Sequence, residues 1–320
     1  MSGFVSLGGG GIIGSGANPN FATTLYTGNG STQSIVTGKN NAAGSLTWIK
    51  SRTLVESHSI YNTARGAQLA LNSDNANGNI PAASGLTVFN SNGFSIGNNS
   101  SVNNNLTNYV AWTFLEAAGF FDVVSYTGTA SDPLILSHNL GVEVGCIIVK
   151  RTDASGDWRV YHRSLGSADN SLRLNSTSPI DTFSLFFTNP TTTDFGVRGN
   201  IPFVGSRPDV NANSGSYIAY LFAHNPNKKI ACDSFVTDAS NNAIVNCGFR
   251  PKWLLTKAKD LTDGWTMLDT TRGWTGSNDK FLQPESSNFE VTGDAGGGTT
   301  SNGFDISLGA SRTYIYIAIG

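Results

Sequence analysis

Tyr217-Ile218-Ala219-Tyr220-Leu221-Phe222-Ala223-His224 is the stretch around which this chain is organised, because two similar stretches flank it. Tyr109-Val110-Ala111-Trp112-Thr113-Phe114 precedes it, and Tyr314-Ile315-Tyr316-Ile317-Ala318-Ile319 follows it. A β-branched and aromatic block that returns about every hundred residues indicates an internal repeat. Each block follows a polar turn, so we interpret it as the last, buried strand of a repeating β-domain.

Other elements recur between these blocks in the same order. Strands that end in lysine occupy residues 46–50, 146–150 and 253–257. Short apolar runs alternate with clusters of Gly, Asn, Pro and Ser, and almost nothing favours helix. We therefore predict an all-β protein with three tandem repeats, each an antiparallel β-sandwich of the jelly-roll or lectin-like kind. The predicted repeats are residues 21–118, 119–226 and 227–320, and residues 1–20 precede them.

The composition indicates a folded, turn-rich protein. Hydrophobic residues make up 39% of the chain and charged residues 13%, about half the usual charged share. The 37 Gly residues supply turns, and the six Trp and 18 Phe can fill cores, which excludes a disordered chain. The net charge is −2 and there is no basic stripe, so we expect no nucleic-acid partner.

The sequence contains three cysteines, Cys146, Cys232 and Cys247. Their number is odd and their spacing matches no metal pattern, so we favour buried free thiols over a Cys232–Cys247 disulfide. No apolar run approaches the ~20 residues of a membrane span, and the start of the chain lacks the pattern of a signal peptide. We therefore expect that the protein does not insert into a membrane. We also expect that it is assembled in a reducing compartment.

Residues 1–20 are rich in glycine and contain Gly9-x-Gly11-x-x-Gly14, which matches a dinucleotide-binding fingerprint by letter. No helix-forming stretch follows it, and no acidic residue lies about twenty positions further on, so we expect no cofactor. We interpret this segment as an arm that docks onto a neighbouring protein. The candidate anchoring residues are Phe4, Val5, Leu7, Ile12 and Ile13.

Lys50, Lys150 and Lys257 recur at one position, the end of a strand in each repeat. One interpretation is a repeated contact with an anion or a sugar acid. We favour a structural role, in which the aliphatic stem covers a neighbouring ring such as Trp48 or Trp253. Lys150 and Lys257 are nevertheless candidate ligand contacts.

Trp158 and Trp265 follow turns that contain glycine. If exposed, each indole would stack on a sugar face, whereas a buried indole would fill the sandwich. We favour burial and keep both residues as candidate ligand contacts.

Four loops rich in Asn and Gly are the better functional candidates, because loops on a rigid scaffold carry specificity. They are residues 72–79, 98–105, 202–213 and 294–302. Asn, Ser and Tyr offer adaptable hydrogen bonds that suit carbohydrates or neutral protein surfaces. Asn103, Asn211 and Asn213 are the candidate contacts in these loops, although the loops could equally be long solvated turns.

No set of catalytic or metal-ligating residues stands out. The four histidines lack metal-ligand spacing, and there is no Gly-x-Ser-x-Gly elbow. An enzyme that cleaves polysaccharides needs two carboxylates across a cleft. The scattered carboxylates are Glu56, Glu143, Asp157, Asp181, Glu285 and Asp305. We expect neither a metal site nor catalysis, although folding could bring two of these carboxylates together.

Several motifs are similar to those of a known group of proteins. They are residues 26–35, Trp48-Ile49-Lys50-Ser51-Arg52, Thr63-Ala64-Arg65-Gly66, Val149-Lys150-Arg151-Thr152, residues 158–163 and residues 217–224. These motifs resemble repeats in tail-fibre-like and other structural proteins of tailed bacteriophages, especially marine ones. The resemblance covers residues 21–320 and brings no catalytic residues with it. The first repeat departs from the pattern because it lacks the Gly-Asp-Trp element found at Gly156-Asp157-Trp158.

This resemblance implies a non-enzymatic virion protein that is assembled in the host cytoplasm. We expect a tail fibre or fibre-associated protein whose loops bind the host surface or its glycans, with weak contacts strengthened by multiple copies. The arm would attach it to other virion proteins, and it would form a homo-oligomer, by analogy a trimer. The alternatives are a capsid decoration, head-fibre or tail-assembly protein and, second, a glycan depolymerase.

Overall fold

The computed structural model describes residues 18–186, 188–200, 205–276, 278–293 and 296–320, and this part of the chain is all-β. Strands hold 45% of the residues and helices 6%, which confirms the prediction of an all-β protein. The strand pairs within the described ranges are antiparallel. The proposed anchoring residues Phe4, Val5, Leu7, Ile12 and Ile13 lie outside the described residues.

The strands fall into three consecutive parts of the chain. Segment 1 contains β1 Phe21–Thr27, β2 Gln33–Val36, β3 Ser45–Ser51, β4 Ser59–Asn62, β5 Gly66–Leu71, β6 Ile80–Pro81, β7 Leu86–Asn90, β8 Gly93–Ile96 and β9 Asn108–Leu115. Segment 2 contains β10 Phe121–Thr127, β11 Leu134–Ser137, β12 Val144–Arg151, β13 Arg159–His162, β14 Leu172–Arg173, β15 Asp194–Val197 and β16 Ser216–Ala223. Segment 3 contains β17 Ile230–Val236, β18 Asn242–Asn246, β19 Trp253–Ala258, β20 Trp265–Asp269, β21 Asp279–Leu282, β22 Val291–Gly293, β23 Gly303–Ser307 and β24 Thr313–Ile319.

Each segment contributes one large sheet and one small sheet. The large sheets have the orders β1-β9-β3-β4-β5-β6, β10-β16-β12-β13-β14 and β17-β24-β19-β20-β21-β22, and we call them sheets 1, 2 and 3. The small sheets are β2-β8-β7, β11-β15 and β18-β23. In each large sheet the closing strand of the segment (β9, β16 or β24) lies between its first strand and its lysine-ended strand.

Short helices occupy two of the loops that were candidates for ligand binding. They are α1 Ser100–Asn103 and α2 Pro208–Asn211, and 3₁₀ turns lie at Asn41–Ala43, Arg163–Leu165 and Pro226–Lys228. Val102 and Val210 are fully buried, so both loops contribute to the interior rather than forming solvated turns throughout. In the part of the chain that the structure describes, no helix has the length and apolar character that a membrane crossing requires.

The closing strands have two buried faces, because side chains alternate across a strand. In β24, Tyr314 and Tyr316 pack between sheet 3 and its small sheet. Ile315 and Ile317 point the other way and join a different, larger core. This agrees with the prediction that the apolar blocks are buried strands, and it shows in addition that both of their faces are covered.

The largest hydrophobic core contains side chains from all three large sheets. Trp112 and Phe114 come from β9, Tyr220 and Phe222 from β16, and Ile317 from β24. Each large sheet therefore packs one face on its own small sheet and the other on this common core. The three segments form a cluster around shared apolar side chains rather than a row of separate units.

The three cysteines are buried and unpaired, as the sequence predicts. Burial raises the pKa of the Cys247 thiol to about 11, and it raises the pKa values of Cys146 and Cys232 further. Because the thiolate is the reactive form, these side chains behave as small hydrophobic groups.

Phe114→Ala tests whether the common core unites the segments. The Phe114 ring lies 5.1 Å from the Phe21 ring, 5.7 Å from Phe121 and Phe222, and 5.5 Å from Trp253, centre to centre. We expect the variant to lose about 3–5 kcal/mol of unfolding free energy, because a buried ring is replaced by a cavity. Urea denaturation followed by circular dichroism should show one transition that shifts as a whole.

Ile244→Ala is the matched control, because Ile244 is 89% exposed and its loss should change stability by less than about 0.5 kcal/mol. Separate transitions, of which only one responds to Phe114→Ala, would contradict a common core.

Candidate functional site

The structure places most of the predicted ligand contacts inside the protein. Lys150, Lys257, Trp158, Trp265, Asn103 and Asn211 are each at most 2% exposed, and Asn213 is exposed. Burial of the two tryptophans agrees with the favoured interpretation. A ligand at the surface cannot contact the six buried side chains, because neighbouring strands and loops cover them.

Lys150 shows what covers these side chains. Its Nζ donates hydrogen bonds to the carbonyl oxygens of Arg151 at 2.7 Å, Gly156 at 3.0 Å and Ala76 at 3.1 Å. Arg151 and Gly156 belong to segment 2, but Ala76 lies in the loop after β5 of segment 1. The ammonium group thus links two segments. It also lies over the Trp158 ring, 6.0 Å from the ring centre, as the favoured structural role predicts, but it is buried and does not extend past the ring to water.

The other two lysines make equivalent bonds. Lys257 Nζ donates to Ala258 O at 2.9 Å and to Thr177 O of segment 2 at 3.3 Å. Lys50 Nζ donates to Ser51 O at 3.0 Å and to Ser287 O of segment 3 at 3.2 Å. The contacts run from segment 2 to 1, from 3 to 2 and from 1 to 3, so they close a ring.

The indoles reinforce two of these contacts. Trp158 Nε1 donates to Asn72 O at 2.9 Å, across the boundary from segment 2 to segment 1. Trp265 Nε1 donates to Arg173 O at 2.9 Å, from segment 3 to segment 2. The loop at residues 72–79 was a candidate binding loop, and here it receives bonds from both Lys150 and Trp158.

Segment 1 has His58 where segments 2 and 3 have tryptophan. Its Nδ1 accepts a hydrogen bond of 2.8 Å from Trp48 Nε1, and the ring is fully buried. Burial holds the pKa of His58 well below its usual value, so the ring is neutral near pH 7. The missing Gly-Asp-Trp element is therefore replaced by a buried Trp–His pair.

A second set of polar contacts crosses the same three boundaries from the other side. Asn62 Nδ2 donates to the Tyr220 hydroxyl at 2.7 Å, from segment 1 to segment 2. His162 Nε2 lies 3.0 Å from Tyr316 O, between segments 2 and 3. Trp112 Nε1 donates to Asp269 Oδ2 at 3.0 Å, between segments 1 and 3. Each boundary thus holds at least two buried polar contacts.

The two buried asparagines hold the turn that follows the first strand of their segment. Asn103 Oδ1 accepts from Asn29 N at 2.9 Å, and Asn103 Nδ2 donates to Gly97 O at 2.7 Å. Asn211 Oδ1 accepts from Thr129 N at 2.8 Å, and Asn211 Nδ2 donates to Ser131 O at 2.8 Å. Their amide groups are used within the protein and not for a ligand.

Two of the scattered carboxylates do meet in space, around arginines. Arg159 lies 2.6 Å from Asp181 and 2.7 Å from Asp209, measured between nitrogen and oxygen. Arg173 lies 3.2 Å from Asp157 and 3.1 Å from Asp181. These carboxylates form an ion-pair network rather than an acid and a base across a cleft. Among the described residues, no group of His, Cys, Asp and Glu is arranged to hold a metal ion.

The surface carries a cleft that the sequence did not indicate, one part of it between segments 1 and 3 and the adjoining part within segment 3. One part has a volume of about 280 Å³ and the other about 400 Å³, and both are lined by Lys252. The first part is lined by Asn18, Phe21, Ala22, Thr23, Thr37, Gly38, Lys39, Lys252, Thr271 and Gly320. The second is lined by Arg250, Pro251, Lys252, Thr270, Trp274, Thr275 and Thr299. We call the two parts together the seam cleft.

No sequence signal links the two sides of the first part of the seam cleft, because they come from stretches more than two hundred positions apart. Three basic residues line it: Lys39, Lys252 and Arg250. The lining contains no Asp or Glu side chain. Lys252 and Arg250 are exposed, and Lys39 is half-buried.

Lys150→Met tests the lysine ring. Burial lowers the pKa of Lys150 to about 8 from 10.5, and the same holds for Lys50 and Lys257. Methionine removes the lysine donor from three carbonyl oxygens, of which Ala76 O keeps a bond from Gly156 N, so we expect the unfolding free energy at pH 7 to fall by about 2–4 kcal/mol. The unfolded state binds more protons than the folded state between pH 8 and 10.5, so the wild-type protein gains stability as pH rises through that window.

Urea denaturation at pH 8 and pH 9 measures this effect. The difference between the wild-type protein and Lys150→Met should grow by about 1 kcal/mol between the two pH values. Lys280→Met is the control, because the Lys280 side chain is 42% exposed and should contribute less than about 0.5 kcal/mol. Equal losses for both variants would contradict a structural role for Lys150.

Glu285→Gln tests a second buried charge. Glu285 Oε1 accepts a hydrogen bond from Trp265 N at 2.9 Å, as Asn175 Oδ1 does from Trp158 N at 3.0 Å. Burial raises the pKa of Glu285 from 4.5 to about 7. The folded state then binds more protons between those values, so stability falls as pH rises from 4.5 to 7.

We expect Glu285→Gln to be more stable than the wild-type protein by about 1–2 kcal/mol at pH 8 and by little at pH 4.5, because glutamine keeps the acceptor without the charge. Thermal unfolding at both pH values is the measurement. Glu143→Gln, in an exposed ion pair with Arg163, should give no such gain. A gain that does not depend on pH would show that titration of Glu285 is not its cause.

Comparison with known proteins gives one match, and it spans all three large sheets. Residues 17–320 match a family described as Domain of unknown function (DUF7483). No curated protein matches the chain, and no solved structure does. Because the match covers nearly the whole sequence, including every strand around the common core, the chain belongs to the DUF7483 family.

Proposed function

We propose that this protein is a non-enzymatic structural and binding protein of a tailed-bacteriophage virion, built from three tandem β-sandwich repeats. In this proposal the repeats are residues 21–118, 119–226 and 227–320, and loops on their outer surface bind the host surface or its glycans. A tail fibre or a fibre-associated protein is the favoured position in the virion. The motifs that resemble tail-fibre-like proteins support this choice.

The repeat interpretation is supported by the common strand order of sheets 1, 2 and 3. It is also supported by tyrosines that accept equivalent hydrogen bonds at the equivalent position of each large sheet. Tyr109 and Tyr217 each accept a hydrogen bond from the backbone, at 2.8 Å and 2.7 Å, just before the closing strand. Tyr314 accepts a bond of 2.8 Å from Gly309 N in the same position.

The observation that carries the functional proposal is the closed ring of contacts made by Lys50, Lys150 and Lys257. It uses the recurring polar and aromatic residues of the sequence to hold the segments to one another. Those residues are therefore not available for chemistry, and what remains for partners is the outer surface of a rigid scaffold. Rigid scaffolds with variable loops suit binding, because little conformational entropy is lost on contact.

The cyclic arrangement favours capsid decoration as a second candidate. Three similar segments around one core give a single chain an approximate threefold shape, which suits a partner that itself has threefold symmetry. Because one chain already has this shape, a threefold arrangement does not require the homotrimer that analogy suggests. A depolymerase has less support, because Asp157 and Asp181 are held by Arg159 and Arg173.

Immunogold electron microscopy of intact phage particles, with an antibody against residues 121–320, tests the proposal. We expect label at the tail or the fibre tips. Label over the head would favour a capsid decoration protein over a tail fibre. If no label is seen and mass spectrometry does not detect the chain in purified particles, the proposed virion role is wrong. If the purified protein releases reducing ends from host polysaccharide, the proposal that it is not an enzyme is wrong.

A further inference from the structure

We propose that the seam cleft binds an acidic saccharide, with Lys252 and Arg250 contacting its negative groups. The inference deepens the proposed function and rests on it for biological context, since it names the class of glycan and the place where it binds.

The charged side chains that line the cleft are all basic. Lys39 and Lys252 lie close enough for Lys252 to lower the pKa of Lys39, after the larger effect of burial. Arg250 adds a third cation in the adjoining part of the cleft, and no Asp or Glu side chain lines either part. Like charges that face one shared space repel each other until an anion enters it. A bound carboxylate or sulfate would relieve this repulsion.

The uncharged lining suits a ligand rich in hydroxyl groups. Six threonines line the two parts, namely Thr23, Thr37, Thr271, Thr270, Thr275 and Thr299. The Oγ1 atom of Thr23 is buried without a hydrogen-bond partner. Trp274 is 1% exposed, and its Nε1 also has no partner. Buried polar groups are nearly always hydrogen-bonded, so a buried water would complete the bonding of these two atoms, whereas the side chains of Thr271 and Thr275 are exposed to a ligand.

The walls of the cleft are held in place before any ligand arrives. Lys39 Nζ donates to Asn18 O at 3.0 Å and to Pro19 O at 2.8 Å, which fixes one wall. On the same boundary, Arg52 of segment 1 makes a bidentate pair with Glu290 of segment 3 at 2.8 Å and 2.9 Å. Preorganised sites lose less entropy when they bind.

Size and charge favour a saccharide over a nucleic acid. The two volumes fall near the range of small-ligand sites, roughly 300–1,000 Å³. Three cations do not make the long basic track that a phosphate backbone requires, and the buried Trp274 ring offers no exposed face on which a base could stack. Hydroxyl groups of threonine instead match the alternating hydroxyls and acids of a uronic-acid chain.

Isothermal titration of the purified full chain with hexagalacturonate, a heparin hexasaccharide and neutral maltohexaose tests the inference. We expect at least one acidic hexamer to bind, with affinity that falls as salt is raised, and maltohexaose to bind at least about tenfold more weakly. The double variant Lys252→Gln, Arg250→Gln should lose about tenfold or more in affinity for the acidic hexamer.

Lys280→Gln is the control, because Lys280 does not line the cleft, and it should bind like the wild-type protein. Both substitutions in the double variant are at exposed side chains, so unchanged thermal unfolding is expected and will separate lost binding from lost folding. Lack of binding to both acidic hexamers, or equal loss in Lys280→Gln, would overturn the inference.

A hexaglutamate peptide that competes as well as the acidic sugars would also overturn it, because the cleft would then recognise charge alone. The proposed virion role is tested separately from the cleft, because it is wrong if the chain is absent from phage particles. Binding of acidic sugar by a chain that is absent from particles would leave the cleft assignment standing without its proposed context.

Discussion

The ammonium group of Lys150 lies in the protein interior, 2.7–3.1 Å from three carbonyl oxygens that come from two segments of the chain. A buried charge of this kind is costly unless every donor is satisfied, so the group forces the neighbouring loop into one position. Lys50 and Lys257 impose the same requirement at the other two boundaries. The packing of the three sheets against one another therefore depends on these three side chains as well as on the common apolar core.

The common core and the lysine ring act on the same interfaces but contribute differently. Apolar burial supplies most of the free energy and tolerates small changes of orientation. The lysine bonds are directional, and a sliding of one sheet against its neighbour would leave a charge and several carbonyl oxygens unpaired. Ile317 and Phe222 thus hold the segments together, whereas Lys150 sets how they are turned relative to one another.

The sequence allowed the strands and the recurrence of Lys50, Lys150 and Lys257 to be predicted, because alternation and spacing are local properties of the chain. It also predicted the burial of Trp158 and Trp265. The destination of the lysine side chains could not be predicted, because Ala76 and Lys150 are distant in sequence and meet only when two segments pack. The seam cleft was missed for the same reason, since Lys39 and Lys252 share no motif.

The boundary between segments 1 and 3 differs from the other two in one physical respect. Short linkers join segments 1 and 2 and segments 2 and 3, and there the buried Phe120 and the Asn225–Ile230 bridge fill the space between sheets. No linker joins segment 3 to segment 1, so this boundary is closed by non-covalent contacts. They include the Arg52–Glu290 pair and backbone hydrogen bonds from Glu56 N to Ser287 O and from Glu290 N to Arg52 O. The first part of the seam cleft lies at this boundary, and basic and hydroxyl side chains line it. The packing of segment 3 against segment 1 therefore brings Lys39 and Lys252 to one cleft, although they are distant in sequence.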